Sequence, residues 1–318
     1  MQSPLLGLIL WLKPRGLDRL FTWLTPAKVQ HYFDFVEESV NIRLGEERAR
    51  EEAEKKGQHM PPRADIFHHL YTSTLPSSTT PSLSRVELQS ESHLLVIAGT
   101  DTTSTSLAGF WFYITKYPEA YSKLCSEIRS TFSTYEEIHL GPKLTNCTYM
   151  KACILESFRM MPAVVDELPR EVTEPGLTIA GTYYPAGTLV GTPFWSMNYN
   201  AETYRSPRTF RPERWIPDPE HGVSEEEVAG LKKNFWPFSK GTGDCVGQRF
   251  ARAQMELVIA KTLWKLDAEF VEGGGFKWEG ADVEGSDEEE RKIYHVLDIH
   301  TSMKDGPFVR FKRRDMEN

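Results

Sequence analysis

One short stretch constrains this chain more than any other: Phe238-Ser239-Lys240-Gly241-Thr242-Gly243-Asp244-Cys245-Val246-Gly247, which runs straight into a helical pattern. Phe250, Ala253, Leu257, Ala260 and Trp264 recur at spacings of three and four, which predicts a helix that packs this face into a core. Cys245 is thereby placed at a helix N-terminus, where free N–H groups and the dipole favour a thiolate. Gly241 and Gly247 let the backbone approach a flat, bulky ligand closely, and Phe238 is expected to wall the sulfur off from water. A thiolate held this way is a nucleophile or a metal ligand; a structural cysteine is the plainer alternative. A dinucleotide loop fits poorly, because the glycines run G-x-G-x-x-x-G and Trp236-Pro237-Phe238 precedes them instead of a β-branched strand.

The other three cysteines, Cys125, Cys147 and Cys153, form no C-x-x-C pair. That argues against structural zinc and a disulfide scaffold, and for a reduced, intracellular protein. At 40% hydrophobic and 26% charged residues, the chain is neither collagen-like nor wholly disordered. Its 318 residues suffice for a sizeable core and suggest two domains as a first expectation. A balance of 37 basic against 45 acidic residues, −8 in all, argues against nucleic acid as a partner.

Leu5 to Leu12 is apolar but far shorter than the ~20 residues of a membrane-spanning helix, and it lacks signal-peptide features. It reads either as a buried segment or as a surface element in peripheral contact with a bilayer. From Pro26 a helix is expected with Val29, Tyr32, Phe33, Val36 and Val40 on one face, leading into Arg43 to Lys56, a charged stretch read as a solvated face or loop. Thr72 to Ser84 is Ser/Thr/Pro-rich and reads as a loop, and the acidic stretch Glu279 to Glu290 as a solvated insertion. Helical patterns cover roughly 85–116, 118–132, 146–161 and 246–265, and short β-like runs lie at 177–191 and 294–311. The fold class is therefore mainly α with a small β portion (α+β).

The F-x-x-G-x-x-x-C-x-G loop resembles the haem-binding signature of cytochrome P-450, the haem-thiolate monooxygenases. Three further segments match that family in the same order. Ala98-Gly99-Thr100-Asp101-Thr102-Thr103 is similar to the family's distal helix; taken alone it is a Thr-rich helix with back-bonded hydroxyls. Glu156-Ser157-Phe158-Arg159 resembles the family's E-x-x-R pair, and Phe210-Arg211-Pro212-Glu213-Arg214-Trp215 the segment whose arginine joins it. The resemblance implies that Cys245 ligates haem iron, with Phe238, Gly241 and Gly247 shaping its loop and Arg170 meeting a propionate. It further implies that Thr102 and Asp101 deliver protons beside a local break in helical bonding, and that Ala163 to Leu168 line the substrate pocket. Glu156, Arg159 and Arg214 become structural supports of the haem loop.

By the same resemblance the chain is one incomplete domain, 1–84 holding lid helices and a loop, 85–318 running from the distal helix through the haem loop to a C-terminal β-hairpin. It is a partial fold lacking the family's N-terminal helices and most of its first sheet. Gly243 replaces the family's usual Arg or His, and Asn198-Tyr199-Asn200-Ala201 departs from its H-R-[DN]-P segment. Trp11 and Arg15 fit the family's W-x-x-x-R only by chance, being too close to the distal helix and interrupted by Pro14. The expected function is a haem b-dependent monooxygenase acting on an apolar small molecule, with electrons from NADPH through a reductase at the endoplasmic reticulum membrane. The alternative is a non-catalytic, truncated paralogue or incomplete gene model with weak or no haem binding. A cysteine hydrolase would need a nearby His base, for which no local signature exists.

Overall fold

The computed structural model describes residues 27–73, 83–273, 293–298 and 301–314. Leu5 to Leu12, the Trp11–Arg15 match, most of the Ser/Thr/Pro-rich stretch and the acidic stretch lie outside the described residues. The chain divides into two compact units, Met1–Thr100 and Asp101–Asn318.

In the first unit, α1 (Ala27–Lys55) starts just after Pro26, as predicted. Val36, Val40 and Leu44, four residues apart, form a small core with Leu88, whereas Val29 and Phe33 of the predicted face are exposed. The charged stretch is no loop: it continues the same helix to Lys55 and buries part of its charge. Burial is tolerated because the charges are partnered. Glu47, 2% exposed, accepts from Arg43 at 3.1 Å and Arg50 at 3.2 Å and lies 3.0 Å from His68 Nδ1. Arg43 also donates to Asp65 at 2.9 Å, and Asp65 caps α2 (Ile66–Thr72) by accepting the His68 N–H. The helix α3 (Arg85–Lys116) contributes its first half to this unit and its second to the next.

In the second unit, α3 is followed by α4 (Pro118–Thr131), the single turn α5 (Pro142–Thr145) and α6 (Thr148–Met160). After these come α7 (Phe194–Asn198), α8 (Glu225–Lys233) and α9 (Gln248–Lys265). The four long helical patterns fall within two residues of their predicted bounds. Phe110, Tyr113 and Ile114 of α3 share one core with Leu124 and Ile128 of α4, Phe158 and Met160 of α6, and Ile259 and Leu263 of α9. The inward stripe of α9 differs from the expected one. Met255, Ile259, Ala260, Leu263 and Trp264 are buried, whereas Phe250, in its first turn, is 64% exposed.

All strand pairing among the described residues is in two-stranded antiparallel ladders. β1 (Arg170–Glu171) pairs with β4 (Leu189–Val190), and β2 (Leu177–Ile179) with β3 (Thr182–Tyr184). In the C-terminal run β6 (Leu297–Asp298) pairs antiparallel with the next strand, β7 (Ser302–Met303), while β8 (Phe308–Arg313) reaches back to β5 (Leu266–Val271). β5 escaped prediction because it begins on the residue after α9 with no turn residue between; Leu266 is already extended (φ −129°, ψ 150°). Its alternation sets Ala268 and Phe270 against the core. The observed architecture is mainly α with a small β portion, as expected. No described helix is long and apolar enough to cross a membrane.

Candidate functional site

The cysteine loop is held by its own backbone. The Cys245 N–H donates to the Phe238 carbonyl at 2.9 Å and the Asp244 N–H to Gly241 at 3.2 Å. Gly241 adopts φ +93°, a region open to glycine and strained for other residues. Gly247 caps α9, so Cys245 stands three residues before the first helical residue rather than in the first turn. Its thiol is free and exposed. The Phe238 ring meets Phe158 of α6 edge-on at 5.4 Å and lies 5.0 Å under the Arg252 guanidinium, which ties the loop to the helix carrying Glu156. Val246 and Phe250 leave apolar surface open on either side of Gly247.

Arg170, on β1, is brought to this loop by the fold. The nearest atom to a Cβ built on Gly243 is Arg170 Nη2, at 3.9 Å, and Nη1 is steered by the Leu168 and Pro169 carbonyls at 3.2 and 3.0 Å. The guanidinium therefore stands beside the position where the arginine or histidine expected by resemblance is replaced by glycine.

Glu156 is the buried hub of the second unit, with no exposed surface. Oε1 accepts from Arg159 Nη2 at 2.8 Å, Arg214 Nε at 3.0 Å and the Arg211 N–H at 3.0 Å. Oε2 accepts from Arg159 Nε at 3.0 Å and Trp215 Nε1 at 2.9 Å. Trp215 and the Arg211 N–H lie within the quoted Phe210–Trp215 segment, yet only the arginine of that segment was expected to act. Arg159 Nη1 donates to the carbonyls of Asn198 and Pro207 at 2.8 and 2.7 Å, and Arg214 Nη1 to that of Arg205 at 2.9 Å. Burial alone would raise the Glu156 pKa, but the two guanidiniums outweigh it and hold the carboxyl below its ordinary range. Arg159 is pushed up by Glu156 against the cost of burial. Arg214 is pushed down, first by burial and then by Arg159 and Arg211, with Glu156 only partly offsetting them.

Across the Thr-rich stretch α3 runs as one unbroken α-helix, without the expected break in its bonding. Its hydroxyls back-bond instead: Ser106 Oγ donates to the Thr102 carbonyl at 2.9 Å and Ser104 Oγ to that of Asp101 at 3.0 Å. A Cβ on Gly99 would meet nothing within 4 Å. Asp101 and Thr102 are half-buried, and Lys304, which nothing local in the sequence marks, lies 3.8 Å from the Asp101 carboxylate. Its ammonium also donates to Ser104 Oγ at 3.0 Å and Thr105 Oγ1 at 2.9 Å. Nearby, Ser302 of β7 joins the Ala163 segment through its N–H to the Ala163 carbonyl (2.8 Å) and its Oγ to the Pro162 carbonyl (2.7 Å). Val165 and Asp166, inside the predicted lining segment, border an open cleft of about 310 Å³ with Trp195 and His295, at the lower end of small-molecule site sizes.

The donor set fits a haem iron. No group of three or more His, Cys, Asp or Glu among the described residues could by itself complete a metal site. The exposed thiol is a single soft donor, suited to a metal that brings its own equatorial ligands. Open apolar surface and the Arg170 guanidinium suit a flat apolar group with anionic edges.

The family model described as cytochrome P-450 matches residues 12–278. The chain is 36% identical over 274 residues to the cytochrome P-450 monooxygenase apf7 of Gibberella fujikuroi, covering 84% of this chain and 49% of that protein. It is 35% identical over 292 residues to the cytochrome P-450 monooxygenase fscF of Fusarium equiseti, 90% of this chain and 52% of that protein. Against the cytochrome P-450 monooxygenase lcsN of Purpureocillium lilacinum the identity is 37% over 250 residues, 79% and 71% of the two chains. The chain thus spans about half the length of the first two curated relatives.

Proposed function

The chain belongs to the cytochrome P-450 family, and from that premise we propose that it acts as a haem-thiolate monooxygenase on an apolar small molecule. When bound, the haem supplies the activation of dioxygen that amino-acid side chains cannot. Cys245 would hold the haem iron through its thiolate, on a loop whose bend Gly241 permits and whose close approach to a flat group Gly247 leaves free. Arg170 would hold a propionate. Asp101 and Thr102 would hold and pass protons, with Lys304 positioning the Asp101 carboxylate. Phe238, seated against Phe158, couples the loop to the Glu156–Arg159–Arg214 cluster, whose part is structural. The whole chain serves as one domain, takes electrons from NADPH through a reductase and works at the endoplasmic reticulum membrane.

The observation that carries this reading is the exposed, free Cys245 thiol on a backbone-pinned loop, with the Arg170 guanidinium beside it. The test is to supply the purified chain with haem, reduce it and expose it to carbon monoxide. A Soret band shifted far to the red, and lost in Cys245→Ala, is the expected result. A band typical of free or histidine-ligated haem would overturn it.

A further inference from the structure

A cavity of about 50 Å³, lined among others by Arg205, Arg211, Arg214, His221 and Glu227, lies in the Thr203–Leu231 region. It is too small for an apolar substrate, which needs roughly 300 Å³ or more. One water takes about 10–15 Å³ on a comparable measure, so there is room for only a few non-hydrogen atoms.

Its charges do not balance. Arg214, on its wall, also belongs to the buried cluster in which Glu156 is shared by Arg159 and Arg214, one carboxylate against two guanidiniums. The Arg205 and Arg211 side chains add two more, and neither makes an ion pair or a side-chain hydrogen bond among the described residues. His221 is taken up by Asp218 at 2.7 Å. Among the described residues, Glu227 is the only carboxylate on the cavity wall. On the wall itself three guanidiniums, Arg205, Arg211 and Arg214, thus stand against one carboxylate among the described residues. Planar guanidiniums are also the side chains best matched to oxyanions, which they bind through paired N–H groups.

We propose that this cavity binds a small tetrahedral oxyanion, inorganic sulfate or phosphate, with Arg205 and Arg211 as its free donors and Arg214 as the link to the Glu156 cluster. A dianion matches the excess charge, and five non-hydrogen atoms match the space. The site stands apart from the haem reading and does not depend on it.

The test is thermal unfolding of the full chain in sodium sulfate against sodium chloride at matched ionic strength. Low millimolar salt keeps the general stabilisation by excluded sulfate small. A ligand bound only by the folded state raises Tm with saturation, and such a rise is expected for the native chain. Each lost charge-assisted donor weakens affinity about tenfold or more, so the Arg205→Gln/Arg211→Gln variant is expected to lose the rise while still unfolding cooperatively in chloride. Should the double variant not fold, calorimetric titration of sulfate into Arg205→Gln, whose side chain is exposed, should give about tenfold weaker binding than the native chain. A native chain with no saturable rise, a double variant that keeps it, or an Arg205→Gln chain of unchanged affinity overturns the site.

Discussion

At the residue scale, Gly243 and Arg170 are best understood together. The glycine removes a side chain that the family resemblance leads one to expect, and the fold places another guanidinium beside the gap. Space is not the obstacle to restoring the side chain, since the nearest atom to an added Cβ is the movable end of Arg170. Arg170→Gln is expected to weaken haem retention about tenfold, the loss of one charge-assisted hydrogen bond. Gly243→Arg should recover most of that loss in the Arg170→Gln chain but add less to the native one, where two guanidiniums would crowd. Haem transfer to an apo-haem acceptor, followed by absorbance, measures each rate; equal gains in both backgrounds would show that the two positions act independently.

At the element scale, α3 and the segment after β7 meet through one ammonium. Lys304 holds Asp101, Ser104 and Thr105, spaced three and four residues apart on one face of the helix. If Asp101 relays protons, its carboxylate needs a fixed orientation, and Lys304 is the group that supplies it. Removing a partly exposed ion pair changes energies by up to about 1 kcal/mol, or about fivefold in rate. Lys304→Met is therefore expected to lower kcat by up to that factor with little change in KM and to alter its pH profile, whereas Lys304→Arg retains both. A fall confined to KM would place Lys304 with substrate binding instead. The same scale explains why α9 turns a different stripe inward than its spacing suggests. Ile259 and Leu263 are fixed by α4 and α6 packing against them, while Phe250 lies in the first turn beside the open loop.

At the scale of the whole molecule, Glu156 binds distant parts of the second unit into one structure: α6, the loop carrying Arg211 and the 3₁₀ turn Pro212–Trp215. Its pKa is depressed in the folded state, so its contribution is fully present above the ordinary value of 4.5 and is lost as pH falls through the lower, folded value. Glu156→Gln strands two buried guanidiniums and is expected to cost about 3–5 kcal/mol at neutral pH, with a shallower loss of stability below pH 4.5 than the native chain shows. Denaturant unfolding at neutral and acid pH checks both. The helices around this hub were legible in the sequence, because helical hydrogen bonds join residues four apart and leave their period in the pattern. So were the Cys245 loop and the Glu156–Arg159 spacing, since both are set within a few residues. What the tertiary structure alone decided is the company these residues keep: Arg170 beside Gly243, Lys304 on Asp101, Trp215 on Glu156 and β8 on β5. Those contacts close long stretches of chain, and packing selects them only once the whole core has formed.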